Sequence, residues 1–177
     1  QLIARERNMP VDEKGFEAEM NKQRERARNA QTREVISVSD AAEVEHATQF
    51  AGYDHANLSD FATSISAIVE GPDADFVIMP QTPFYAEKGG QVGDTGFIEI
   101  NGTAREVFDT KMDNAGHVLH KVRKGVFKKD AIGAEISATV DIVRRRAIER
   151  HHSATHILHW AMRQVLGTHV RQAGSYV

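Results

Sequence analysis

Short apolar runs separated by turn signals fill residues 65–142, and this pattern constrains the fold more than any other feature of the chain. Asn101-Gly102 lies between two alternating runs and is the strongest short-range hairpin signal. Gly71-Pro72-Asp73 and Asn114-Ala115-Gly116 separate other pairs of runs. Strands this short and this regularly spaced predict a small antiparallel β-barrel or sandwich.

A long amphipathic helix is predicted after the strands. It begins near Asp141, contains RRRAIERHHSATHILHWAMRQVL and is closed by Gly167. Strands followed by a long helix predict an α+β fold. Upstream, Asp12 is a good N-cap for a basic helix, and Ser39-Asp40 favours a further helix through Gln49.

These signals predict three parts. A helical segment covers 1–34, a barrel-like β-rich subdomain covers 35–140, and the long helix occupies 141–177. The chain begins within an apparent element and ends just after a turn, so both ends look cut and we expect a fragment of a larger protein. No apolar run approaches the roughly 20 residues of a membrane span. The chain has no cysteine, which excludes thiolate ligands and disulfides within it and fits a cytoplasmic protein.

Charge is distributed unevenly along the chain. Residues 35–120 hold 3 Lys/Arg against 14 Asp/Glu, a balance of −11, whereas residues 121–150 hold 9 against 4, a balance of +5. The basic part includes Arg144, Arg145 and Arg146, just before the histidines of the predicted helix. This distribution favours attraction of a phosphate backbone to the helix, although a solvated basic face would have the same composition.

Two histidines of the predicted helix have metal-ligand spacing. His152 and His156 are four residues apart, so their rings project from one helical face and could form half of a tetrahedral metal site. The spacing lacks the glutamate of a zinc-protease His-Glu-x-x-His motif, and further ligands would have to come from elsewhere. Surface or hydrogen-bonded histidines are the alternative interpretation. Thr155 lies beside the pair.

A glycine-rich stretch, TPFYAEKGGQVGDTG, covers residues 82–96. Gly89, Gly90 and Gly93 permit positive φ angles and close approach of another backbone. The alternative interpretation is a hairpin with a glycine bulge. After the long helix, Gly174 predicts a turn that could bring Gln172 back toward the histidine face.

Together, the glycine-rich stretch and VDIVRRRAIERHHSATHILHWAMRQVLGTHVRQAGSYV resemble the editing region of alanyl-tRNA synthetases. The N-terminal VDEKGFEAEMNKQRERAR resembles the end of the tRNA-binding helical region of the same family. The resemblance implies a fragment that joins this region to the first part of the editing domain, and its long helix would begin a truncated second editing subdomain. His151 and Lys88 depart from the residues common in the family.

The resemblance also implies roles for individual residues. His152 and His156 would bind zinc together with a Cys-x-x-x-His that lies beyond Val177, so the chain would hold half of the site. Thr155 and Gln172 would contact the misacylated amino acid. The tRNA would be bound at the Gly89-Gly90-Gln91 loop and, through its phosphates, at the three consecutive arginines (Arg144, Arg145 and Arg146). The group that activates water is not identified.

The implied function is that of an alanine–tRNA ligase, with ATP and Mg acting in a part of the enzyme before Gln1. This segment would hydrolyse Ser-tRNA(Ala) and Gly-tRNA(Ala), and the isolated fragment would be inactive. The expected partner is tRNA(Ala), with neither a membrane nor DNA. Two alternatives are a free-standing alanyl-tRNA editing deacylase and a non-catalytic tRNA- or RNA-binding module.

Overall fold

The computed structural model describes Gly15, Lys22, Val44 and residues 46–177. The chain divides into two compact units, Gln1–Ser37 and Val38–Val177. In the first unit Gly15 and Lys22 are helical, and the rest of the helix predicted in residues 1–34 lies outside the described residues.

The second unit is built on a curled antiparallel sheet of seven strands, in the order β2-β9-β6-β7-β8-β4-β3. Two further short strands, β1 and β5, pair in parallel with each other. The strands are β1 (Gln49–Phe50), β2 (Phe61–Ser64), β3 (Ala67–Glu70), β4 (Ala74–Ile78), β5 (Gln81–Thr82), β6 (Gly96–Ile100), β7 (Thr103–Met112), β8 (Val118–Arg123) and β9 (Glu135–Val140). Short 3-10 helices occupy His55–Leu58 and Lys129–Ala131.

The predicted Asn101-Gly102 hairpin is confirmed. It joins β6 to β7, and Ile100 pairs with Thr103 across the turn. Asn101 and Gly102 have φ angles of 51° and 73°, the two positive values that a tight type I′ turn requires.

The core lies on the inner side of the curled sheet. Ile98, Val107 and Val122, on β6, β7 and β8, are fully buried, and neighbouring residues along β6 such as Phe97 face outward. This alternation along β6 is typical of a sheet with one packed face, whereas β4 is buried at every position. The predicted α+β, barrel-like architecture is therefore confirmed.

One predicted helix is wrong at its end. Val44 is not helical, and Gln49 begins strand β1 instead of ending a helix. The Gln49 amide donates to the Pro80 carbonyl at 2.9 Å, and the Ala51 amide donates to Thr82. Pairing with β5 thus places Gln49 in a strand, and the capping signal at Ser39-Asp40 lies outside the described residues.

The predicted long helix is confirmed at Ile142–Leu166, and we call it the histidine helix. Asp141 caps its first turn by accepting a hydrogen bond from the Arg144 amide at 3.0 Å, and Gly167 follows its last residue. Its buried residues are Arg145 and Ile148. Four large apolar side chains in its second half are 62–82% exposed: Ile157, Leu158, Trp160 and Val165. Within the described part of the chain, no helix is long and apolar enough to cross a membrane.

Candidate functional site

The glycine-rich loop is a tight hairpin between β5 and β6. Lys88 and Gln91 exchange two backbone hydrogen bonds of 3.1 Å around Gly89-Gly90, whose φ angles are 63° and 83°. Gly89 is exposed, Gly90 is half-buried and Gln91 is buried. The backbone of this stretch is therefore the hairpin of the alternative interpretation. The Gln91 side chain faces the protein.

The segment after the histidine helix returns to this loop. Val92 donates its amide to the Val177 carbonyl at 2.7 Å, and Val177 donates its own to Gly90 at 2.8 Å. A Cβ on Gly90 would lie 2.1 Å from the Ser175 carbonyl oxygen, so this close approach requires glycine. The side-chain amide of Gln172 donates through Nε2 to Ser175 Oγ at 3.1 Å. Gln172 and the glycine-rich loop are thus held in one cluster.

His152 and His156 point toward each other from adjacent turns of the histidine helix. Their Nε2 atoms are 3.3 Å apart and their ring centroids 5.0 Å apart. Two nitrogen ligands of a tetrahedral zinc ion at 2.0–2.1 Å lie about 3.3–3.4 Å from each other, so the pair fits one edge of such a site. At this distance one neutral ring can also donate a hydrogen bond to the other.

Further metal ligands do not surround the pair in the described part of the chain. No group of three or more His, Cys, Asp or Glu side chains among the described residues is arranged to hold a metal ion. Thr155 lies on the adjoining side of the helix, where its hydroxyl donates to the His152 carbonyl at 2.7 Å. Because that bond uses the only hydroxyl proton, Thr155 can offer a ligand only lone pairs.

The three consecutive arginines have three different environments. Arg146 is exposed, Arg144 is half-buried and Arg145 is 4% exposed. The Arg144 guanidinium donates to the Gly93 carbonyl at 2.7 Å. The Arg145 guanidinium donates to the carboxylates of Asp94 at 2.5 Å and Glu149 at 2.9 Å. Arg145 is therefore enclosed by protein groups, and of the three only Arg146 presents its charge fully to solvent.

Asp94 is a site residue that the sequence interpretation missed. Its carboxylate is buried between the Arg145 guanidinium and the Tyr85 amide, which donates to it at 2.8 Å. Burial raises the pKa of the Asp94 carboxyl, while the Tyr85 amide and the Arg145 charge oppose the rise. A signal for its partner was present in the sequence: Arg145 is three residues before Ile148, so both lie on the buried face of the helix.

A buried histidine lies beneath the start of the glycine-rich loop. His120 Nδ1 lies 2.8 Å from the Val77 carbonyl, and Nε2 lies 2.7 Å from the Thr82 hydroxyl. Thr82 Oγ1 also accepts the Phe84 amide at 3.2 Å. Burial lowers the pKa of His120 from 6.5 to about 4, against the favourable Val77 hydrogen bond. His120 is therefore a neutral structural residue.

The histidine pair (His152 and His156) and the residue that contacts the glycine-rich loop (Arg145) lie on one side of the histidine helix, at different positions along its axis. Arg145, which contacts the loop, and His152 are seven residues apart, which brings them to nearly the same face two turns apart. At 1.5 Å per residue the pair begins about 10 Å along the helix axis from the Arg145–Asp94 contact. The helix thus connects the two clusters rigidly.

Comparison with known proteins shows the family of this chain. A family model described as tRNA synthetases class II (A) matches residues 1–144. The alanine–tRNA ligase of Opitutus terrae is 42% identical over 182 residues, which cover 99% of this chain and 19% of that enzyme. The chain thus spans about a fifth of the length of this relative, and the similarity continues through the histidine helix. Because the family model matches 144 of the 177 residues, the chain belongs to the class II (A) tRNA synthetases, the alanyl-tRNA synthetase family.

Proposed function

We propose that this chain is the part of an alanine–tRNA ligase that begins its editing site, which hydrolyses Ser-tRNA(Ala) and Gly-tRNA(Ala). The observation that supports this proposal best is the convergence of His152 and His156, 3.3 Å apart. They lie on the helix face that also holds the glycine-rich loop. The loop in turn holds the Gln172 segment through Val92 and Val177.

Editing is needed because an alanine pocket selects poorly against its neighbours in size. Glycine is smaller and enters the pocket, and serine adds only a hydroxyl, which a small pocket rejects by about a hundredfold at most. A second site that recognises the hydroxyl can remove the error after transfer to tRNA.

Thr155 is the residue that we assign to recognition of serine. Its hydroxyl donates to the His152 carbonyl, so it recognises a group that donates a hydrogen bond. The serine hydroxyl is such a donor, whereas the alanine methyl group is not. Gln172, whose NH2 group is bonded to Ser175, keeps its amide oxygen as an acceptor toward the same substrate.

The histidine pair is the part of this site that would bind a metal. A zinc ion held by His152 and His156, with the other ligands from a Cys-x-x-x-His elsewhere in the enzyme, would supply a Lewis acid. The exposure of Ile157, Leu158 and Trp160 on the same helix supports this proposal, because large apolar side chains are usually covered by further protein. This chain's own contribution is to orient the two imidazoles and to hold Thr155 beside them.

Binding of tRNA(Ala) is assigned to the basic side of the site. Arg146 is exposed and Arg144 is half-buried, so both can approach phosphates, whereas the enclosed Arg145 is removed from this role. Phosphate contacts position the tRNA without reading its sequence. Gly89, at the exposed tip of the loop, is assigned to the aminoacylated end of the tRNA. ATP and Mg belong to aminoacylation in another part of the proposed cytoplasmic ligase.

Deacylation of Ser-tRNA(Ala) by the proposed full-length ligase tests the assignment. We expect His156→Ala and Gln172→Ala to slow serine clearance while charging with alanine continues. His151→Ala is the matched control, because it removes an exposed histidine from another face of the same helix. Metal analysis should find zinc in the unmodified protein and less zinc in His156→Ala. Normal clearance by both site variants would show that the site is wrongly assigned.

A further inference from the structure

Two arginines in the first turn of the histidine helix reach back to the end of the glycine-rich loop. Arg144 donates to the Gly93 carbonyl at 2.7 Å, and Arg145 binds the Asp94 carboxylate at 2.5 Å. Gly93 and Asp94 lie two and three residues after Gln91, which closes the hairpin with Lys88. These contacts therefore join the loop to the helix that carries the histidines.

Arg145 is held by groups from its own helix, from β1 and from the glycine-rich loop. Its guanidinium carbon lies 5.8 Å from the Phe50 ring centroid and 5.4 Å from that of Tyr85. Its Nε donates to Glu149 at 2.9 Å, one turn further along the helix. A planar guanidinium can lie against aromatic rings and donate several hydrogen bonds in a fixed fork, a geometry that a compact ammonium group does not have.

A buried ion pair of this kind is a weak source of stability. Removing two charges from water costs free energy for each ion, and well-packed apolar residues at such sites are often equally stable or more stable. The pair does fix geometry, because Asp94 accepts from both Arg145 and the Tyr85 amide. A polar contact with several fixed partners permits one arrangement of loop and helix.

We propose that Arg145 is a positioning residue for the editing site, in which it fixes the glycine-rich loop on the helix face that carries His152 and His156. This inference rests on the proposed function for its consequence in catalysis, and on the contacts of Arg145 alone for its effect on the loop. The expected effect is large, because a misplacement of about 1 Å can cost about a hundredfold in rate.

Two variants of Arg145 and one matched control test the proposal in the full-length protein. Arg145→Gln removes the charge and the planar set of guanidinium N–H donors, and Arg145→Lys keeps the charge without that planar set. Arg146→Gln removes the same charge from the exposed neighbour. We expect the Tyr85 amide, which donates to Asp94, to exchange its hydrogen at least about tenfold faster in Arg145→Gln, because its acceptor is released. Arg145→Lys should show a smaller increase and Arg146→Gln none.

The kinetic constants for Ser-tRNA(Ala) deacylation separate positioning from binding. Arg145→Gln should lower kcat about tenfold or more with little change in KM, and Arg146→Gln should raise KM with kcat unchanged. If Arg145→Gln does not fold, Arg145→Lys gives the same comparison with a smaller change.

Unchanged exchange at Tyr85 would refute the proposal, as would faster exchange with normal kcat. If the unmodified protein does not deacylate Ser-tRNA(Ala), the proposed function fails, and the exchange rates still decide whether Arg145 holds the loop.

Discussion

Acid should destabilise the fold through one histidine beneath the glycine-rich loop. The Val77 carbonyl can only accept, so His120 Nδ1 must carry the ring proton of the neutral ring and donate to it. His120 Nε2 then accepts the proton of the Thr82 hydroxyl, whose oxygen also accepts the Phe84 amide. A second proton on the ring would have to enter Nε2, which lies in a fully buried site without a counter-charge among its hydrogen-bond partners.

The size of the effect follows from the pKa of His120. Burial lowers this pKa from 6.5 to about 4. Between these values the unfolded chain binds the proton and the folded chain does not, so the free energy of unfolding falls as the pH falls. The full effect is about 3 kcal/mol, at about 1.4 kcal/mol per pH unit. Between pH 7 and pH 5 we expect about 2 kcal/mol of this loss.

Urea unfolding followed by circular dichroism at pH 7 and pH 5 measures this loss. His120→Gln is the comparison, because glutamine can donate to Val77 and accept from Thr82 but cannot titrate. The other histidines contribute equally to both proteins, so the unmodified protein should lose about 2 kcal/mol more than the variant. Equal losses in the two proteins would refute the reasoning, as would an NMR titration of His120 with a midpoint near 6.5.

Two further predictions concern the candidate site. Thr155→Val should slow clearance of Ser-tRNA(Ala) about two- to tenfold, the value of one lost hydrogen bond, and leave Gly-tRNA(Ala) clearance unchanged; equal losses for both substrates would contradict the assigned role. Gly90→Ala should destabilise the protein by about 1–3 kcal/mol in urea unfolding. Its Cβ would meet the Ser175 carbonyl oxygen at 2.1 Å, whereas one on the control Gly89, also at positive φ, meets nothing within 4 Å. Equal costs for Gly90→Ala and Gly89→Ala would show that the 175–177 segment does not depend on Gly90.

The features predicted correctly from the sequence are those with local causes. Asn101-Gly102 defines its turn through its own backbone preferences, and Asp141 and Gly167 cap the helix whose ends they mark. The helix predicted through Gln49 fails because β5, more than thirty residues away, pairs with that segment. Nothing near Gln49 in the sequence reports this pairing.

Within the site, the sequence predicts which residues share a helix face, but it does not predict the path of the chain after the helix. His152 and His156 share a face by spacing alone, so their convergence could be predicted. The hydrogen bond between Val177 and Gly90 depends on the path of the chain after Gly167. Gly174 in the sequence permits a turn there but does not specify its direction.

The three arginines show how helical geometry would have sharpened the prediction. Consecutive residues on a helix point about 100° apart, so Arg144, Arg145 and Arg146 cannot share one phosphate-binding face. Arg145 is three residues from the apolar Ile148 and four from Glu149, which places it on the buried face of the helix with a carboxylate one turn away. The number of positive charges in a sequence therefore shows only that a helix could attract an anion. Because the guanidinium of Arg145 is paired with the buried carboxylate of Asp94, it binds the protein's own loop instead.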